Sequence, residues 1–382
     1  MRETGPMGIA LVAALLGVLT PISGNGSPRL APFDPASLRP TGSRLRLGEY
    51  HRNWSFSPDR THLALGMGGA GETCGRGVCI VDARTVTIAG QIDTPTSVVA
   101  VGWLRPRRIV GVLSFGGVFV ADPVTGAIVQ HSELPFPADE LRSARTPEGL
   151  AVLMSSRPAR LVVTDAEGRV RIARLPGIRA GADMVVDRRA RRAFVFAAGS
   201  PAMEVDLRTM GVRRHRVALP RRAGVPGRVT TSFREALWLG RGLVAVSGLD
   251  RVSRSGGIVP RTRSFPAGVR LVDTKTWTTR TVDRRAGSAR LVAGRLLVHT
   301  AALDVSASRG VGLRIYTRDG RRLVRHLLGR QALEVEAARG RAYAYALRGR
   351  SRSLYVVHAQ SGELIRRVAP PPRGYELELL DD

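Results

Sequence analysis

The run VCIVDARTVTIAGQ (78–91) decides the fold. An apolar, β-branched stretch ends on an acid, Asp82, a short polar turn follows, and a second β-rich stretch returns. The same plan recurs as VFVADPVTGAIVQH (118–131), LVVTDAEGRVRIAR (161–174), MEVDLRTMGVRRHR (203–216), VRLVDTKTWTTRTV (269–282), LRIYTRDGRRLVRH (313–326) and LYVVHAQSGELIRR (354–367). The acids are Asp82, Asp122, Asp165, Asp206, Asp273 and Asp319; His358 to Gln360 fill the place in the last copy. Intervals of 40, 43, 41, 67, 46 and about 40 residues match the length of a four-stranded propeller blade.

Working outward, each copy supplies the third and fourth strands of a blade, and two further strands precede it. In the first blade these are an inner strand near 50–57 and THLALGM (61–67), joined by the turn SPDR (57–60). Seven such sets tile 44–370, so the expected fold is all-β: one seven-bladed β-propeller of four-stranded antiparallel blades. RLRLGEY (44–50) is left without a required slot and is expected to pair with the edge of the last blade. Two insertions interrupt the period, 248–268 in blade five and 302–312 in blade six. Both join second to third strands, on the face shared with the blade-to-blade loops. The first-to-second and third-to-fourth turns lie on the opposite face.

At these residues the chain resembles known propellers. WSFSPDRTHLALG (54–66) is similar to the serine-proline-aspartate turn of TolB-type and WD40-like repeats. VCIVDARTVTIAGQI (78–92) resembles the YVTN family of surface propeller repeats. The resemblance spans roughly 44–370, although the terminal Trp-Asp pair of WD40 repeats is missing. It implies an exported bacterial propeller. It also brings in propeller hydrolases of the lactonase kind, which gather acid, His and Arg side chains at the central channel.

The N-terminus is read as a targeting segment. A short charged start precedes the apolar run IALVAALLGVLTPI (9–22), and a small-residue exit follows. Residues 1–26 are therefore expected to be either a cleaved signal peptide or a retained anchor, 27–43 a linker rich in Pro and Ser, and 371–382 a C-terminal tail. Cys74 and Cys79 flank a glycine-containing loop, and a disulfide between them is the expectation for an exported chain.

The net charge is +28, and Lys275 is the only lysine. GC-rich codon usage favours Arg over Lys, yet 59 bases against 31 acids leave room for an anionic partner. Candidate partner-binding residues sit in the loops of the insertion face: Arg251, Arg254, Arg261 and Arg263 in blade five, Arg157 and Arg160 in blade three, and Arg348, Arg350 and Arg352 in blade seven. Another set, including 105–108, 188–192, Arg241, Arg295 and 339–341, forms a rim on the opposite face.

Signatures of chemistry are few. An Asp before a turn caps its own backbone, so the repeated acids are read as structural. VADPVTGAIVQ (120–130) has Gln130 where a quinone-binding propeller needs Trp. The seven histidines show no metal-ligand spacing, and neither a GxSxG elbow nor a P-loop is present. No cofactor, no metal and no nucleic acid are expected, since single-strand recognition needs aromatic platforms. The resulting expectation is a secreted or envelope-associated, monomeric propeller that binds an envelope protein or an anionic polymer or lipid without chemistry. The alternative is a hydrolase whose acids come from the starts of inner strands: Asp183, Glu235 and Glu334.

Overall fold

The computed structural model describes residues 15–21, 27–35, 38–69, 74–138, 141–154, 158–217, 219, 228–254, 261–300, 312–326, 331–338, 340–348, 351–368 and 375–380. The described residues form a propeller of eight antiparallel sheets rather than seven. Blades one to seven occupy 50–93, 98–133, 141–174, 183–215, 228–283, 288–326 and 331–368, each running from inner to outer strand in chain order.

The eighth sheet is assembled from both ends of the chain. Tyr375–Leu380 is its inner strand, followed by Leu15–Pro21, Arg29–Phe33 and Leu45–Arg46. Leu15–Pro21 pairs on both sides, Leu15 opposite Phe33 and Leu16 opposite Leu380. The apolar run read as a targeting segment, the stretch read as a linker and the stretch read as a tail thus each supply a strand. RLRLGEY finds its slot here too, as the outer strand Leu45–Arg46. The expected count fell one short for a physical reason: a strand buried on both faces is a continuous apolar run, with the same local signature as a targeting helix. No helix among the described residues is long and apolar enough to cross a membrane.

Packing identifies the ring as closed. Eight clusters of buried apolar side chains occur among the described residues, and each lies between two neighbouring blades. Leu15, Leu19, Phe33, Leu377 and Leu379 pack against Tyr343, Leu354 and Val356 of blade seven. Leu16, Val18, Leu30 and Leu380 pack against Phe56, Leu63, Leu65 and Met67 of blade one. The Tyr343 hydroxyl and Arg341 also donate to the Pro35 carbonyl, tying the N-terminal segment to blade seven.

The repeated turns show why an acid recurs. Asp82 Oδ1 accepts the N–H groups of Arg84 and Thr85, both at 2.8 Å, and Asp206 and Asp273 do the same in their blades. These backbone donors hold the Asp82 and Asp206 carboxyls below the usual carboxylate range. The fourth residue after the acid is left-handed: Val86, Met210 and Trp277 have φ of 56°, 59° and 57°, and Gly126 and Gly362 take the same place. In blade six the capping position belongs to Thr317, whose Oγ1 accepts the Arg321 N–H, and Asp319 lies two residues further on. In blade seven His358 Nδ1 accepts the Ser361 N–H.

The cysteines lie at the upper end of blade one, disulfide-bonded with their Cα atoms 5.7 Å apart. Both are buried against the interface with blade eight.

Candidate functional site

Blade five rises above the others. Its first two strands, Arg228–Gly240 and Leu243–Arg254, contain 13 and 12 residues, where the corresponding strands of the other blades have 5 to 8. The insertion at 248–268 is not a loop over its described length. It prolongs the second strand and returns as an extra strand, Arg261–Pro266, so that a three-stranded sheet stands above the ring.

Register sorts the expected arginines. Arg254 lies directly opposite Arg261, and Arg263 lies opposite Val252, so these three arginines occupy positions of one face. Arg251 occupies the other face, where its guanidinium stacks over the Phe233 ring at 5.1 Å. Like charges directly opposite in an antiparallel pair repel. Elsewhere, Arg160 of blade three covers the Phe136 ring at 4.0 Å. Arg348 and Arg352 lie on adjacent strands of blade seven, while Arg157 and Arg350 lie outside the described residues. The blade-six insertion at 302–311 is also outside them.

The raised sheet is bolted to the ring by buried polar groups. Arg234 and Asp250 are 3% and 0% exposed and pair at 2.9 Å. The same guanidinium donates to the Phe233 and Leu249 carbonyls, and the Arg234 N–H bonds the Gly181 carbonyl of the blade-four lead-in. One level lower, a belt crosses four blades. Arg142 of blade three lies 3.6 Å from Asp183 of blade four, and Asp183 Oδ2 accepts the Ala236 N–H of blade five at 2.9 Å. Glu235 of blade five accepts hydrogen bonds from Ser247 and from Ser288 of blade six. Two of the three acids named from the sequence thus stand together at the channel mouth, and the Glu334 side chain lies outside the described residues.

Burial dominates at Asp183. It raises the carboxyl from 3.8 to about 6, and the Glu235 charge adds to the effect against the opposing pull of Ala236, Arg142 and Met184. The folded protein therefore binds this proton more tightly than the unfolded chain. Its stabilising contribution is full below pH 3.8 and lost as pH rises through about 6, a change on the order of 3 kcal/mol. Urea unfolding of wild type and Asp183→Asn at pH 4 and pH 7 checks this: the variant gains relative to wild type by about that amount at the higher pH.

Sequence reasoning missed one cluster between blades four and five. Trp277, in the third-to-fourth turn of blade five, stacks on His215 with ring centroids 3.7 Å apart, and Phe194 lies between it and Trp238. His215 also bonds Glu204 at 2.9 Å. Only the left-handed turn position of Trp277, filled by Gly in two other blades, could have hinted at an aromatic held for packing.

No protein-family model matches the chain, and no curated protein sequence matches it. Solved structures do. The chain is similar to the dihydro-heme d1 dehydrogenase NirN, with a TM-score of 0.59 and 14% identity over 95% of this chain and 74% of that one. It is also similar to Sqt1 of Saccharomyces cerevisiae (TM-score 0.52, 11% identity, 84% and 85% covered) and to BamB from Moraxella catarrhalis (0.50, 12%, 87% and 91%). At such identities the likeness is one of fold alone. The chain has a WD40-like β-propeller fold.

Proposed function

We propose that this protein is a non-catalytic propeller that binds an anionic partner of the cell envelope, polymer or lipid, through the raised sheet of blade five. The observation that carries this reading is the placement of Arg254, Arg261 and Arg263 on one face of a sheet standing clear of the ring. No acid occurs between Arg251 and Pro266 to compete for them. An extracytoplasmic location fits the Cys74–Cys79 bond, since disulfides persist in oxidising compartments. The SPD turn at 57–59 and the acid-turn repeat support kinship with TolB-type and YVTN propellers.

The test is vesicle binding. Exposed charge pairs contribute about 0–1 kcal/mol each, so the affinity is multivalent and falls steeply with salt. Replacing Arg251, Arg254, Arg261 and Arg263 with Ser should weaken binding to phosphatidylglycerol vesicles on the order of thirtyfold, about 2 kcal/mol. The control replaces Arg188, Arg189, Arg241 and Arg318 on the opposite face. Arg191 and Arg192 are unsuitable there because they pair with Glu148 and Glu204. Equal losses from both sets would reduce the attraction to net charge.

A second reading, a hydrolase at the channel mouth, draws on Asp183, whose carboxyl titrates near 6 beside Glu235. Asp183 is however bonded by the N–H groups of Met184 and Ala236, which makes it a bracket between blades. Turnover of a lactone or ester that Asp183→Asn abolishes would reverse the order of the two readings.

A further inference from the structure

On the face opposite the raised sheet, blades two, three and four enclose a cleft of about 520 Å³. Five arginines line it: Arg105 from blade two, Arg169 and Arg171 from blade three, and Arg191 and Arg208 from blade four. Three acids join them, Glu148, Asp165 and Glu167, so the cleft carries a net charge of 5 − 3 = +2.

The guanidinium groups are held from the side. Arg105 pairs with Glu167 at 2.6 Å, and Arg169 pairs with Asp165 at 2.7 Å. Arg171 reaches across the blade boundary and donates to the Leu207 and Arg208 carbonyls, both at 2.8 Å. Arg191 Nε lies 3.2 Å from Glu148 Oε1. The Glu148 side chain is only 6% exposed, and neither of its oxygens has a hydrogen-bond partner among the described residues. A buried carboxylate with one ion pair and no hydrogen bond is costly to keep. What it does is fix Arg191 in the cleft. The Arg208 guanidinium, by contrast, makes no ion pair or hydrogen bond among the described residues and is exposed.

We propose that this cleft binds a small organic dianion, a phosphate monoester or a dicarboxylate, with Arg208 and Arg191 as its direct contacts. Each guanidinium has five donors in a rigid fork, and the acids and carbonyls occupy only some of them. Two negative charges match the net charge of the cleft. Its volume lies in the range of small-molecule sites, and its charged lining selects a polar ligand. The site is independent of the raised sheet and lies on the other face of the ring.

The test uses the full chain and isothermal titration at constant ionic strength, with phenyl phosphate, succinate and, as the monoanion, acetate. Either dianion should bind at least tenfold more tightly than acetate. Arg208→Ser should weaken that binding tenfold or more without changing the melting temperature of the unliganded protein, whereas Arg188→Ser, on the same face outside the cleft, should leave it unchanged. Arg191→Ser strands the buried Glu148, so the Arg191→Ser/Glu148→Gln double variant is the one to measure, with the same loss expected. Binding of phenyl phosphate alone assigns a phosphate monoester, and binding of succinate alone a dicarboxylate. Equal affinity for acetate and both dianions, or wild-type dianion affinity in Arg208→Ser, overturns the proposal.

Discussion

A chain lacking residues 1–26 should melt more than about 10 °C below the full chain, or lose its cooperative transition altogether. The deletion removes Leu15–Pro21, the strand that joins Tyr375–Leu380 to Arg29–Phe33. Leu15, Leu16, Val18 and Leu19 are 4%, 7%, 0% and 4% exposed. At about 1.5–3 kcal/mol each, their burial is worth roughly 6–12 kcal/mol as an upper estimate. That rivals the whole net stability of an ordinary domain, about 5–15 kcal/mol. Circular dichroism melts of 27–382 and 1–382 make the comparison. The result bears on export as well, because cleavage anywhere in 20–30 cuts at or beyond the end of the same strand. If 27–382 melts like the full chain, the run 9–22 is free to serve only as a targeting segment.

The second large effect is at the foot of the raised sheet. Asp250→Ala leaves the Arg234 guanidinium buried without its counter-charge, and loss of one partner from such a pair costs about 3–5 kcal/mol. Nearby Arg270 sharpens the penalty. Burial first, then the charges of Arg234 and Arg284, already push its guanidinium below the ordinary range. A double change, Arg234→Met with Asp250→Leu, removes both charges together and should recover most of the loss, since a buried pair has little net value over apolar residues. Urea unfolding of the three proteins separates the cases: a single variant no worse than the double would mean that the pair is not desolvated.

Much of the ring was legible in the chain. The acid-turn copies gave blades one to seven because each repeats a local solution, a capped turn between two strands, that needs no distant partner. The cap is chemical rather than residue-specific, so Thr317 and His358 take it over in blades six and seven. Blade eight has the same turn at Asp34, with Leu38 left-handed at φ 51°, but it lies in a stretch read as a linker, and the strands of this blade come from the two ends of the chain. Strand pairing at that separation leaves no periodic trace, and Leu15–Pro21, buried on both sides, carries only an apolar signature. Of the candidate site, the insertion and its arginines were visible, but their sorting onto faces was not. That depended on the pairing of Leu243–Arg254 with Arg261–Pro266, which sets Arg254 opposite Arg261. The lower cleft was hidden for another reason: its arginines come from turns up to about 100 positions apart, and only the ring brings Arg105 to Glu167.

The arrangement of blade eight also sets a timetable. Leu15–Pro21 is synthesised early, yet its inner neighbour, Tyr375–Leu380, lies some 350 residues later in the chain. Throughout translation the early strand therefore has one edge open and its apolar side chains without their final cover. Blades one to seven can stack in order as they emerge, but the ring stays a split washer until the far end arrives. During that interval the nascent chain offers a sticky, extended apolar segment to whatever chaperone or translocation factor meets it first, and the completed protein withdraws the offer.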